Sequence, residues 1–162
     1  HCIGDFERIS DHAINIMEAA QEMHNKKLTF SPKAEEELKV FSRAVQDIVE
    51  KAYAVFRDQD EKLAQKVEPL EAVVDDLNQE VKKRHIRRLR NGKCTIELGF
   101  ILSDITTSLE RVADHCSNIA VCVTQVRDDT YDTHGYLNSV KNEDSEIFRG
   151  LVLEAEEKYL LP

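Results

Sequence analysis

Two pairs of carboxylates have the spacing that chemistry on a helix surface requires. Glu71 and Asp75 are four residues apart, and so are Glu110 and Asp114. Residues four apart on a helix share a face. Around the second pair the apolar residues run Leu98, Leu102, Ile105, Leu109, Val112, Cys116, Ile119, Val123 and Val126 in three–four steps, the pattern of a bundle seam. With Leu109 and Val112 on the seam, Glu110 and Asp114 fall on its flank. Leu70 and Val74 place Glu71 and Asp75 in the same way on the preceding helix. Antiparallel neighbours present matching flanks to each other. The register agrees, because pairing 71 with 114 and 75 with 110 centres the hairpin on Gly92–Lys93, where Asn91-Gly92 independently marks a turn. Four carboxylates therefore converge on one surface patch.

Such a patch repels itself and raises its members' pKa values unless a cation compensates. Carboxylate oxygens suit iron, manganese, magnesium or calcium, or zinc with His115 nearby. Metal sites of this kind in bundles project inward. These residues project outward, so the expected site is open to solvent rather than a sealed oxidation centre. The competing reading is a set of ordinary solvated acids, ion-paired with Arg111 or with lysines.

The chain also repeats itself. FERISDHAINI at 6–16 matches LERVADHCSNI at 109–119, with Glu7/Glu110, Arg8/Arg111, Asp11/Asp114, His12/His115, Asn15/Asn118 and Ile16/Ile119 identical at an offset of 103. Seam positions that differ stay apolar. Glu7 and Asp11 are thus half of a second carboxylate site. His12 and His115 follow the two motifs; lone histidines of this kind are more often hydrogen-bonded or exposed than metal ligands.

Helices must position these residues. Phe6, Ile9, Ala13, Ile16, Ala20 and Met23 form one face of a first helix over about 2–25. Ser31 caps a second, with Pro32 at its first position and Glu35, Glu36 and Glu37 in its first turn. The second stripe is Leu38, Phe41, Val45, Ile48, Val49, Ala52 and Phe56, up to a break at Asp58-Gln59-Asp60. A third helix carries Leu63, Val67, Leu70, Val74, Leu77 and Val81, with a bend or restart at Pro69. Thr95 caps the fourth. Residues 128–143 read as loop, and a last helix over about 144–160 turns Ile147, Phe148, Leu151, Val152 and Ala155 inward. The fold class is all-α: an antiparallel three-helix bundle, with one helix before it and one after.

Composition supports this. The chain has 162 residues, 5 glycines, 3 prolines, no tryptophan, 33% charged residues and a formal net charge of −9. So few turn formers leave little room for β-sandwiches, barrels or βαβ units. The acidity argues against nucleic acid as a partner. No apolar run reaches the roughly 18–20 residues of a membrane span, and the opening residues have no signal-peptide character. Cys2, Cys94, Cys116 and Cys122 form no CxxC pair, which favours reduced thiols and a cytoplasmic setting over a disulfide framework or zinc ribbon. No nucleophile elbow, P-loop, GxGxxG or HExxH sequence is present, and an enzyme is not expected.

At the repeated segments the chain resembles the PhoU family, whose three-helix bundles each end in an ERxxDHxxNI helix and occur in tandem. The resemblance implies metal binding through paired E(D)xxxD motifs on adjacent helices. Glu71–Asp75 and Glu110–Asp114 fit as a pair, and Glu7–Asp11 as half of another. It implies a divalent or transition ion as cofactor: iron first, with zinc, manganese, nickel or magnesium as alternatives. The domains expected are 1–27, the last helix of a truncated first repeat; 28–127, a complete repeat; and 128–162, a loop and C-terminal helix. The opening at His1, inside a helical pattern, reads as a truncation, and the Phe6/Ile9/Ile16 face should seek cover from the second bundle or from another chain.

The segment from Thr133 to Pro162 resembles the tail of bacterial sodium/phosphate cotransporters that carry a PhoU-like cytoplasmic domain. That resemblance implies a regulatory domain in phosphate uptake and homeostasis, attached to the inner membrane and partnered by the membrane part of its own transporter, with homo-oligomers also open. The alternative is a free-standing regulator that binds a transporter or sensor kinase in trans. A di-metal enzyme and a metal-free interaction bundle are the remaining readings. Finally, Lys82, Lys83, Arg84, His85, Arg87, Arg88, Arg90 and Lys93 crowd the hairpin tip. Residues 82–93 are either a solvated helix end, favoured by the helix dipole, or a contact for anionic lipid or an acidic partner.

Overall fold

A computed structural model describes residues 2–128 and 145–162; side chains are described for 2–125 and 146–162. The helices are α1 (Cys2–Lys26), α2 (Pro32–Asp58), α3 (Glu61–Ala64), α4 (Val67–Arg90), α5 (Ile96–Asp128) and α6 (Ser145–Lys158). Their ends follow local chemistry. Ser31 Oγ accepts from the Ala34 N–H at 3.3 Å, with Pro32 in the first turn. Gln59 at φ 54° stops α2. Asp60 Oδ1 then accepts from the Leu63 N–H at 3.1 Å and starts the single turn of α3. The chain restarts as α4 at Val67, with Pro69 in its first turn, where a missing N–H costs nothing. Gly92 takes the hairpin turn at φ +64°, a conformation that favours glycine. Thr95 Oγ1 accepts from the Leu98 N–H at 3.2 Å and caps α5.

Helices α2, α4 and α5 enclose one core. Phe41, Ile48, Val55, Val67, Val73, Val74, Cys116 and Ile119 are almost fully buried in it. Helix α1 lies along α5, and α6 lies along α4. The Phe6/Ile9/Ile16 face of α1 packs against the core, so the bundle supplies the cover that this face needed.

Three stripe assignments need correction. Phe56 is partly exposed and meets Phe6 edge-on at 5.2 Å, because α1 crosses there and the core side belongs to Val55. Ala13 and Ala20 are exposed, while Ala19 is buried, because α1 packs chiefly on α5. Ile147 is 62% exposed, and α6 is anchored instead by Tyr159, which is buried. Asp128, expected to open a loop, is instead the last residue of α5; the rest of that loop, 129–143, with the tail residues there and the side chain of Val126, lies outside the described residues.

Candidate metal centre

The α4–α5 hairpin brings three of the four flank carboxylates together. Glu71, Asp75 and Asp114 each offer an oxygen, and these oxygens lie within 4.8 Å of one another. All three residues are half-buried. One turn below, Ser117 donates to Glu68 Oε2 at 2.5 Å and ties α5 to α4. The cluster is strained electrostatically. Burial pushes the Asp75 carboxyl above its ordinary range, and Glu110, Asp114, Asp76 and Glu68 push it further the same way. A cation would relieve that repulsion.

Glu110 stands at the edge. Its charge acts on Asp75, but its oxygens are not among the three that converge. Arg111 lies 3.9 Å from Glu110 and 3.1 Å from Asp114. This guanidinium is more than half exposed, so its ion pairs are screened by solvent and contribute little. Glu7 and Asp11 are exposed on α1 and do not join the cluster. His115 does not turn to it either. Its Nδ1 lies 2.9 Å from Asp5 Oδ1, and the donor set is therefore carboxylate oxygen alone. Oxygen-only, partly solvated sites suit hard or borderline divalent ions. Glu71, Asp75 and Asp114 would hold the ion, which would bridge α4 to α5.

The repeat has a geometric outcome that its sequence did not spell out. Equivalent residues of the two motifs, His12 and His115, stack with centroids 5.7 Å apart. Helices α1 and α5 run antiparallel, since Asp5 meets Asn118 while Lys26 meets Glu97, and this pair lies between those contacts. Asp5 reaches His115, whereas its equivalent near His12 is Ser108, and His12 Nδ1 is buried without a partner. Burial, then the neighbouring His115 and Arg111, lower the pKa of His12 against the opposing pull of Asp11.

Two further polar clusters carried no helix-pattern signal. Glu37 is buried to 3% exposure and accepts two bonds from Arg88, at 3.0 and 2.8 Å, and one from Arg84 at 3.4 Å. Asp47 accepts from Lys51, from Lys158 at 3.0 Å and from Tyr159 at 2.7 Å, joining α6 to α2. Among the basic residues of the hairpin tip, His85 is buried against Gly99 rather than displayed.

Residues 38–123 match the family model described as the PhoU domain. The chain is 30% identical over 115 residues to the "Phosphate-specific transport system accessory protein PhoU homolog 1" of Thermotoga maritima, an alignment covering 71% of this chain and 49% of that protein. The chain thus spans about half the length of this curated relative. No solved structure matches it. No helix among the described residues is long and apolar enough to cross a membrane.

Proposed function

This chain belongs to the PhoU family, and on that premise we propose that it is a non-catalytic, metal-binding regulatory domain acting in phosphate uptake and homeostasis. The observation that carries the proposal is the convergence of Glu71, Asp75 and Asp114 between α4 and α5 of a PhoU domain. The ion is divalent or of the transition series, with iron as the first candidate. It would fix the hairpin and, through it, the surface offered to transport machinery. The printed name of the relative, an accessory protein of phosphate-specific transport, supports the phosphate context.

We further propose that the chain serves as the cytoplasmic domain of a sodium/phosphate cotransporter at the inner membrane, with the membrane part of that transporter as its partner. The tail pattern supports this reading. The name of the relative favours a second one, a free-standing regulator acting in trans on a transporter or kinase. An apolar membrane region on the same polypeptide distinguishes the two.

Metal analysis of protein purified without chelator tests the site. Bound metal should be present in the wild type and lost in Asp75→Ala/Asp114→Ala at unchanged helix content. Equal metal in both overturns the assignment. The same double substitution in the natural full-length protein should alter phosphate uptake by cells, and unchanged uptake overturns the regulatory role.

A further inference from the structure

We propose that the free end of the α4–α5 hairpin docks on an anionic lipid surface. Between Lys82 and Ile96 the chain has seven lysines and arginines and no carboxylate. The fold occupies four of them: Arg84 and Arg88 on Glu37, Arg87 on Glu80 at 3.3 Å, and Lys82 on Thr107 at 3.1 Å. Lys83, Arg90 and Lys93 remain exposed, with no carboxylate partner among the described residues. The nearest acid along the chain, Glu97, is neutralised by Lys26 of α1 at 2.7 Å.

Apolar side chains sit among these cations. Ile86 is 48% exposed, Ile96 66% and Phe100 71%. The register that joins Glu71 to Asp114 and packs His85 on Gly99 brings Ile86 and Phe100 to within about one turn of each other along the hairpin. Helical spacing places both on the outward flank, with Ile96 one turn before Phe100. A solvated helix end explains the charge but not a phenylalanine and two isoleucines beside it. Together they match the headgroup–acyl boundary, where apolar side chains insert while lysine and arginine reach the phosphates. The whole chain carries −9, so an anionic surface repels the rest of the molecule and admits it by this end. An exposed patch of cations and apolar side chains can settle into a deformable lipid layer without a matching cavity, which an acidic protein partner would have to supply. The proposal does not depend on the metal site.

Sedimentation of the chain with vesicles tests it. The probes are phosphatidylcholine alone and phosphatidylcholine with phosphatidylglycerol in equal parts. The wild type should sediment only with the anionic vesicles, and less at high salt. Lys83→Glu/Arg90→Glu/Lys93→Glu should weaken binding by at least about tenfold. Ile96→Ser/Phe100→Ser should weaken it several-fold without changing charge. Both sets replace exposed residues and should keep the wild-type helix content and melting temperature. Lys33→Glu/Lys39→Glu/Arg43→Glu, an equal charge change on exposed α2 positions, should bind more tightly than the tip reversal. The proposal is overturned if the wild type ignores anionic vesicles, if it sediments equally with both, or if the α2 control loses as much as the tip reversal. Unchanged binding by the serine variant also overturns it, as does capture of the tip by an acidic polypeptide with no vesicle binding.

Discussion

At Asp75 the requirements of the fold and of the site pull in opposite directions. Burial and then the neighbouring acids hold its carboxyl above the ordinary value of 3.8. A group raised in the folded state favours folding while it is protonated. That contribution is complete below 3.8 and is lost as pH rises through the raised value, so at neutral pH ionised Asp75 works against the metal-free fold. Asp75→Asn keeps the shape and removes the charge. In chelator, the variant should gain roughly 0.5 kcal/mol after solvent screening, a rise of about 1–2 °C in melting temperature. With manganese or ferrous iron added the order should invert, because only the wild type retains its ligand set. Thermal melts with and without chelator measure both halves, and a metal-free variant that melts below the wild type contradicts the account. The acids that meet were legible in sequence because helical spacing and hairpin register are both local. The choice of His115 was not, since its partner Asp5 arrives on another helix, 110 residues away in sequence.

The helices themselves were legible because caps and stripes act over a turn or two. Ser31, Asp60, Gly92 and Thr95 each sit at an element boundary. What local pattern cannot register is a charged residue recruited into the core. Glu37 looks like one of three ordinary first-turn acids, yet α4 lays Arg88 and Arg84 across it and buries it. Removing one member of a buried pair leaves the other charge uncompensated, at a cost of about 3–5 kcal/mol. Glu37→Ala should therefore lower the melting temperature by about 6–20 °C, while Glu37→Gln, which keeps hydrogen-bond capacity, should lose less. Circular dichroism melts of the two variants would show it, and a loss under about 1 kcal/mol for the alanine variant would mean that the pair is only a surface contact. The docking of α6 follows the same logic on a smaller scale. Tyr159 donates to Asp47 at 2.7 Å, and Tyr159→Phe should cost about 1 kcal/mol in urea unfolding. No change there would mean that apolar contact alone holds α6.

Across the whole molecule, these separate sites give stability a definite dependence on pH. Burial raises the Asp47 carboxyl, but bonds from Lys51, Tyr159 and Lys158 together bring it down to about 2. Its contribution is present above 3.8 and is lost only as pH falls from there toward 2. The histidines act at milder acidity. Burial lowers His12 at the α1–α5 crossing, with His115 and Arg111 adding to it. Burial also lowers His85 at the hairpin tip, with Arg88 adding and Glu37 opposing. Both favour folding as neutral rings, so their contribution is full above 6.5 and is lost as pH falls below that value toward their folded pKa values. Protonation of Asp75 favours the metal-free fold only nearer the carboxylate range. Between about pH 7.5 and about pH 5.5 the histidines therefore dominate, and the urea midpoint should fall as the solution is acidified in chelator. His12→Gln and His85→Gln should each flatten part of that slope. The sites lie on different elements, and their effects should add. A midpoint that stays level or rises on acidification would overturn this reading, as would single variants with the wild-type slope.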